Sequence, residues 1–122
     1  MSGSESLQGL KVFVVEDEML VSMLVEDMLA DLGCEVVGPA ASLADALPLA
    51  ESAEMGVALL DLNLAGKSVH PVAEILQRRK VPFIFASGYG DASAEGPFQG
   101  VPTLQKPYRM GDLEKALLAL VG

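Results

Sequence analysis

The chain is short of several things, and each shortage removes a class of protein. Cys34 is its one cysteine, which excludes an intramolecular disulfide and any multi-cysteine metal site and makes the reducing cytoplasm the expected setting. Basic residues are scarce: 8 Lys and Arg stand against 17 Asp and Glu, a net charge of −9. That balance repels a phosphate backbone, so direct nucleic-acid binding is disfavoured. Although 51% of the residues are hydrophobic, they come in short runs broken by charges and glycines, far below the ~18 of a membrane span. The opening Met1-Ser2-Gly3-Ser4-Glu5-Ser6 has no basic stretch followed by an apolar one, so it does not read as a signal peptide. Residues 1–8 read as a loose lead and 9–122 as one domain, since 122 residues suit a single core. No internal repeat, linker or low-complexity tract appears.

What is present is an alternation. Leu10 to Val15 is an apolar run that stops at Glu16-Asp17-Glu18. Leu20, Val21, Leu24, Val25, Met28 and Leu32 then recur at helical spacing, with Asp17 placed to cap and Gly33 to terminate. Cys34 to Val37 reads as a second strand closed by Gly38-Pro39, with Cys34 a small packed residue and not a reactive thiol. Ser42-Leu43-Ala44-Asp45 resembles a capping box and opens a helix to about Ala53, in which Pro48 predicts a bend or an early end. Val57 to Asp61 is a strand apolar on both faces, the kind found in parallel sheets flanked by helices. After the Ala65-Gly66-Lys67 loop, Val69 to Arg79 predicts a helix with Val72, Ile75 and Leu76 inward. Val81 to Ala86 is a fourth strand ending at Ser87, and Val101 to Gln105 a short fifth one running into Lys106-Pro107. Between them Gly88 to Gly100 is glycine-rich, so a helix there is expected to be short or mobile. Met110, Leu113, Ala116, Leu117 and Leu120 mark a closing amphipathic helix. Five strand and helix alternations predict an α/β fold, a doubly wound parallel sheet with helices on both faces and right-handed crossovers.

Four of the five strands end in groups with chemistry: Glu16 and Asp17, then Asp61, Ser87 and Lys106. In a parallel sheet those ends share one rim, where open α/β folds bind ligands. Carboxylates gathered at one point repel unless a cation joins them, and oxygen-only ligands favour Mg2+. Ser87 and Lys106 offer a hydroxyl and an ammonium to the oxygens of a guest, for which a phosphoryl group is the natural candidate. Asp61, Ser87 and His70 are all conceivable nucleophiles; His70, in Ser68-Val69-His70-Pro71, lies outside the strand ends and reads as a surface residue. Asp61, at the centre, is the better choice, with aspartyl-phosphate chemistry as precedent.

The stretches Val14-Val15-Glu16-Asp17-Glu18, Leu59-Leu60-Asp61-Leu62-Asn63, Phe85-Ala86-Ser87-Gly88-Tyr89 and Gln105-Lys106-Pro107-Tyr108 resemble the four motifs of receiver domains of two-component response regulators. The resemblance spans roughly residues 9 to 121. It implies a flavodoxin-like strand order 2-1-3-4-5, with Asp61 as phosphoacceptor and Mg2+ held by Glu16, Asp17, Asp61 and the main-chain carbonyl of Asn63. It further implies Ser87 and Lys106 on the phosphoryl oxygens, a cis Lys106-Pro107 bond, and Asn63 and Tyr89 near the path of attacking water. Two departures stand out. The acidic pair is Glu16-Asp17 where Asp-Asp is common, and Thr103 occupies the position of an aromatic switch residue. Phe85-Ala86-Ser87-Gly88-Tyr89 is similar to the subgroup with a Phe-x-Thr/Ser-Gly-Tyr motif and a flexible fourth helix.

The resulting expectation is a stand-alone, cytoplasmic receiver that takes a phosphoryl group from a histidine kinase or phosphotransfer protein and changes its affinity for a downstream protein. It catalyses only its own phosphorylation and dephosphorylation, and contact with Ser87 orders Gly88 to Gly100. The rivals are a receiver-shaped interaction module that ignores phosphorylation and a small Mg2+-dependent phosphatase. The latter usually has a second acid where this chain has Asn63.

Overall fold

The computed structural model describes residues 7–88, 98 and 101–121. The expected alternation is present: β1 (Lys11–Val15), α1 (Met19–Asp31), β2 (Glu35–Ala40), α2 (Leu43–Ser52), β3 (Val57–Asp61), β4 (Asn63–Leu64), β5 (Lys67–Ser68), α3 (His70–Arg79), β6 (Phe83–Ser87), β7 (Thr103–Gln105) and α4 (Met110–Val121). Five strands form one sheet in the order β2-β1-β3-β6-β7, and every pair in it is parallel. Renumbered without the small β4-β5 ribbon, this is the expected 2-1-3-4-5. Alternate side chains of each strand feed opposite faces. Phe13, Ala58, Leu60 and Phe85 pack with Ala46, Ala50, Val72 and Leu76 of α2 and α3. On the other face Val12, Val14, Leu59 and Ile84 pack with Val25, Leu29, Leu113 and Leu117 of α1 and α4. Leu7, from the lead, is buried in that second cluster.

Several local expectations hold for the reasons given. Gly33 adopts φ +86. The amides of Gly33 and Cys34 donate to the Ala30 and Leu29 carbonyls, the crossed pair that ends a helix on a left-handed residue. Ser42 caps α2, its Oγ accepting the Asp45 N–H at 3.1 Å. Cys34 is buried, and its thiol donates to the Leu7 carbonyl.

Others do not hold. The stripe expected on α1 holds only in part: Val25 and Leu32 are buried and Val21 and Met28 pack against the core, but Leu20 is 77% and Leu24 59% exposed, and Ser22 and Leu29 face inward in their place. Apolar residues occur all round this helix, so spacing alone could not choose its buried side. Asp17 does not cap α1; the cap position is Glu18, without a side-chain bond. Pro48 does not end α2, which runs on to Ser52. Past the proline, Ala50 is buried in the core and the Arg79 guanidinium donates to the Ala50 and Ala53 carbonyls at 2.6 and 3.0 Å, satisfying two of the carbonyls that a helix end leaves free. β2 continues through Gly38-Pro39, where the peptide bond is cis and the register with β1 shifts. The Ala65-Gly66 loop is the tip of a two-stranded ribbon, with both residues at positive φ as a tight hairpin requires. His70 is half-buried and not on the surface, its ring centroid 4.9 Å from that of Phe98 and 6.2 Å from that of Phe85. The expectations for Tyr89 and for Gly88 to Gly100 lie outside the described residues, apart from Gly88 and Phe98.

Candidate metal centre

The parallel register brings the strand ends together. Asp61, the last residue of β3, pairs with Ala86 of β6. Ser87 pairs with Gln105 of β7, and the next residue is Lys106. Main-chain bonds continue past the strands: Glu16 N–H to the Ala40 carbonyl, Leu62 N–H to Ala86 and Lys106 N–H to Ser87, at 2.8–3.0 Å. The chain is therefore fixed where its acids and lysine emerge.

Glu16, Asp17 and Asp61 each offer a carboxylate oxygen, and these oxygens lie within 4.8 Å of one another. Ligand oxygens of an octahedral Mg2+ stand about 3.0 Å apart at adjacent positions and about 4.2 Å at opposite ones, so the three acids are near enough to share such an ion, directly or through water, after a modest closing of the cluster. The donor set, all hard oxygen, fits it. Lys106 stands in their midst, its Nζ 2.9 Å from Glu16 Oε1, 3.1 Å from Asp61 Oδ2 and 4.0 Å from Glu18 Oε1. Glu16 Oε2 accepts the Glu18 N–H, Asp61 Oδ1 the Asn63 N–H, and Asp17 Oδ2 the Ala65 N–H at the ribbon tip.

Asp61 is 3% exposed. Burial, with the Glu16 charge added, pushes its carboxyl up to about 7 against the opposing pull of Lys106. Burial alone would lower the Lys106 ammonium, but its bonds to Glu16 and Asp61 outweigh that and raise it. Burial, then the Glu16 charge, pushes Tyr108 up to about 12. A divalent cation among the acids would offset the burial and the Glu16 charge that push the Asp61 carboxyl up, and so favour its ionised form.

Of the residues singled out by sequence, Glu16, Asp17, Asp61 and Lys106 converge. Asn63 lines a cavity of about 230 Å3 with Asp17, Asp61 and Lys106, and its side chain accepts the Gly66 N–H at 2.7 Å. Ser87 stands on the rim, but its hydroxyl is donated to the Gly88 carbonyl at 3.3 Å. The exposed Thr103 donates its hydroxyl to the Val101 carbonyl. Lys106-Pro107 is cis. Two participants were missed, Glu18 within reach of Lys106 and the Ala65 amide on Asp17. Glu18 was visible in the acidic triplet, whereas an amide contact across 48 positions leaves no mark on a sequence.

The response regulator receiver domain, as a family model, matches residues 12–118. The chain belongs to that family. Its fold is that of SdrG from Sphingomonas melonis Fr1, a solution structure 41% identical at a TM-score of 0.84, covering 93% of this chain and 98% of that one. The Phyllosphere-induced regulator PhyR of Methylorubrum extorquens is 33% identical over 89 residues, 70% of this chain and 33% of that protein. A receiver domain of a sensor histidine kinase from Pseudomonas aeruginosa PAO1 is 23% identical at a TM-score of 0.75, covering 93% of this chain and 98% of that one. It has a magnesium ion coordinated in its active-site cleft, and at this identity it shows the fold alone. The chain spans from a third to about half the length of the curated relatives it matches. Receiver domains bind Mg2+ at an acidic site and interact with histidine kinases or phosphotransfer proteins and with downstream effectors. Among the described residues no helix of this one is long and apolar enough to cross a membrane.

Proposed function

We propose that this receiver domain accepts a phosphoryl group on Asp61 from a phosphohistidine of a histidine kinase or phosphotransfer protein, and that the phosphorylated form binds a downstream protein with altered affinity. The observation that carries the reading is the buried Asp61 carboxylate, shared with the Lys106 ammonium at 3.1 Å and grouped with Glu16 and Asp17. A carboxylate oxygen of Asp61 attacks phosphorus in line, forming an acyl phosphate as the P–N bond breaks. The electron pair of that bond returns to the donor imidazole.

Glu16, Asp17, Asp61 and the Asn63 carbonyl would hold Mg2+, which supplies charge neutralisation for the phosphoryl oxygens. Lys106, already beside Asp61, supplies a second positive charge to the same oxygens, and Ser87 at the adjoining strand end offers a hydroxyl once it turns from the Gly88 carbonyl. The domain acts on no other substrate, and release of its phosphate is hydrolysis of its own acyl phosphate.

Incubation with Mg2+ and acetyl phosphate, followed by intact mass measurement, tests this. One phosphoryl adduct is expected, absent in Asp61→Ala and absent with EDTA. No adduct would instead mark a receiver-shaped module that works without phosphorylation, and steady phosphate release from added substrates would mark a phosphatase.

A further inference from the structure

Asp61 is the one buried residue among those lining its cavity, so a donor attacked in line must enter with its leaving group pointed outward, away from the attacking oxygen. Glu18, Asn63 and Ala65 are the exposed residues of the same lining, and of these three Glu18 alone carries charge. Glu18 stands at the head of α1 without capping it, since its side chain makes no bond to the helix amides. Its carboxylate lies 4.0 Å from the Lys106 Nζ, beyond hydrogen-bonding distance, and that ammonium is already held by Glu16 and Asp61 at 2.9 and 3.1 Å. At 67% exposure the Glu18 side chain faces whatever approaches Asp61. It also lines a neighbouring cavity of about 330 Å3, together with Gly88, Lys106 and apolar side chains that include Val25, Pro107 and Tyr108. Glu18 thus marks a boundary between a charged cavity and an apolar one.

The leaving group decides what this charge does. On the reading of Asp61 as phosphoacceptor, on which this inference rests, two classes of donor differ at the atom that departs. A protonated phosphoimidazole brings a positive ring. As Asp61 bonds to phosphorus, the P–N electron pair returns to the ring nitrogen, and neutral imidazole departs with its proton on the other nitrogen. An acyl phosphate brings no cation. Its P–O electron pair returns to a carboxylate, so negative charge grows on the outward side, where Glu18 stands. One carboxylate therefore attracts the first donor and opposes the second. A planar ring with a cationic edge also suits the boundary between acid and apolar wall, and a small anion suits neither.

We propose that Glu18 is a donor-specificity residue: its charge at the mouth of the Asp61 cavity favours donors with positive charge on a nitrogen leaving group and disfavours those whose leaving group departs as a carboxylate.

The test measures the rate of Asp61 adduct formation by intact mass, near neutral pH and at saturating Mg2+, with N-phosphoimidazole, phosphoramidate and acetyl phosphate. Wild type, Glu18→Gln and Glu18→Lys are compared. The readout is the ratio of the phosphoimidazole rate to the acetyl phosphate rate, because metal affinity, Lys106 and folding enter both rates alike and cancel. This ratio should fall about three- to tenfold in Glu18→Gln at low salt and further in Glu18→Lys. The differences should largely collapse in about 1 M salt. Phosphoramidate, whose nitrogen is protonated and leaves as ammonia, should follow phosphoimidazole. A ratio unchanged in Glu18→Gln, a change that salt leaves intact, or phosphoramidate tracking acetyl phosphate would each overturn the proposal while leaving Asp61 as the acceptor. No adduct from any donor in the wild type would overturn the reading of Asp61, and this one with it.

Discussion

Lys106 holds Glu16 as closely as it holds Asp61: its Nζ lies 2.9 Å from Glu16 Oε1 and 3.1 Å from Asp61 Oδ2, with both acids buried. One ammonium thus balances two desolvated carboxylates. Removing one partner of a buried ion pair leaves an uncompensated charge and costs about 3–5 kcal/mol. Lys106→Met should therefore lower stability by about 3 kcal/mol in EDTA at pH 8, measured by urea unfolding. Added Mg2+ should stabilise the variant more than the wild type, because the ion takes over the missing charge. Equal stabilisation of the two would show that the acids do not share a cation.

The Asp61 carboxyl, pushed up to about 7 from an ordinary value near 4, ties metal-free stability to pH. Between those values the folded state keeps a proton that the unfolded chain has released. This contribution is complete below about pH 4 and is lost as pH rises through about 7. Without metal, the wild type should lose stability relative to Asp61→Asn across that window and run parallel to it above. Urea midpoints measured in EDTA from pH 4 to 8 give the difference directly. A wild type that gains on Asp61→Asn with rising pH would mean that Lys106 outweighs burial at this site.

Strand ends were legible because short apolar runs stop at charged residues, and a parallel sheet sends those stops to one rim; Glu16, Asp17, Asp61 and Lys106 converge for that reason alone. The full buried face of α1 was not legible, since Met19, Leu20, Met23 and Leu24 are as apolar as the residues it buries. Nor was the contact of Arg79 with the end of α2, whose Ala50 and Ala53 carbonyls lie 29 and 26 positions away from it. The engagement of Glu16 by Lys106 was hidden too, since an acid at a rim gives no sign of which cation it faces.

Two helix ends use the same left-handed geometry with different residues. Gly33 ends α1 at φ +86, and Lys80 ends α3 at φ +63, its amide on Gln77 and that of Val81 on Leu76. A side chain in this conformation costs about 1–2 kcal/mol, partly offset by the smaller entropy that a non-glycine residue loses on folding. Lys80→Gly should then stabilise by about 0.5–1 kcal/mol and Gly33→Ala destabilise by at least as much. The Gly33 change also adds a methyl where the Gln8 side chain lies. Thermal unfolding of both variants decides it; a destabilised Lys80→Gly would show that the lysine chain contributes more than its backbone costs.

Asp17 joins two structures, for it offers an oxygen to the acidic cluster and accepts the Ala65 amide at 3.0 Å from the tip of the β4-β5 ribbon. Ala65 itself sits at φ +51, a conformation that alanine resists, so the ribbon tip leans on that bond. Asp17→Ala should therefore do two things at once, weakening Mg2+ binding by the loss of a carboxylate and speeding amide exchange at Ala65 even with no metal present. Asp17→Asn keeps an acceptor and sheds the charge; it should preserve much of the Ala65 protection while still binding Mg2+ poorly. Exchange at Ala65 and a Mg2+ titration, run on both variants, separate the two roles. If the alanine variant weakens metal binding but leaves Ala65 protected, the ribbon is held by its own Asn63 side chain on Gly66 and owes nothing to the metal site.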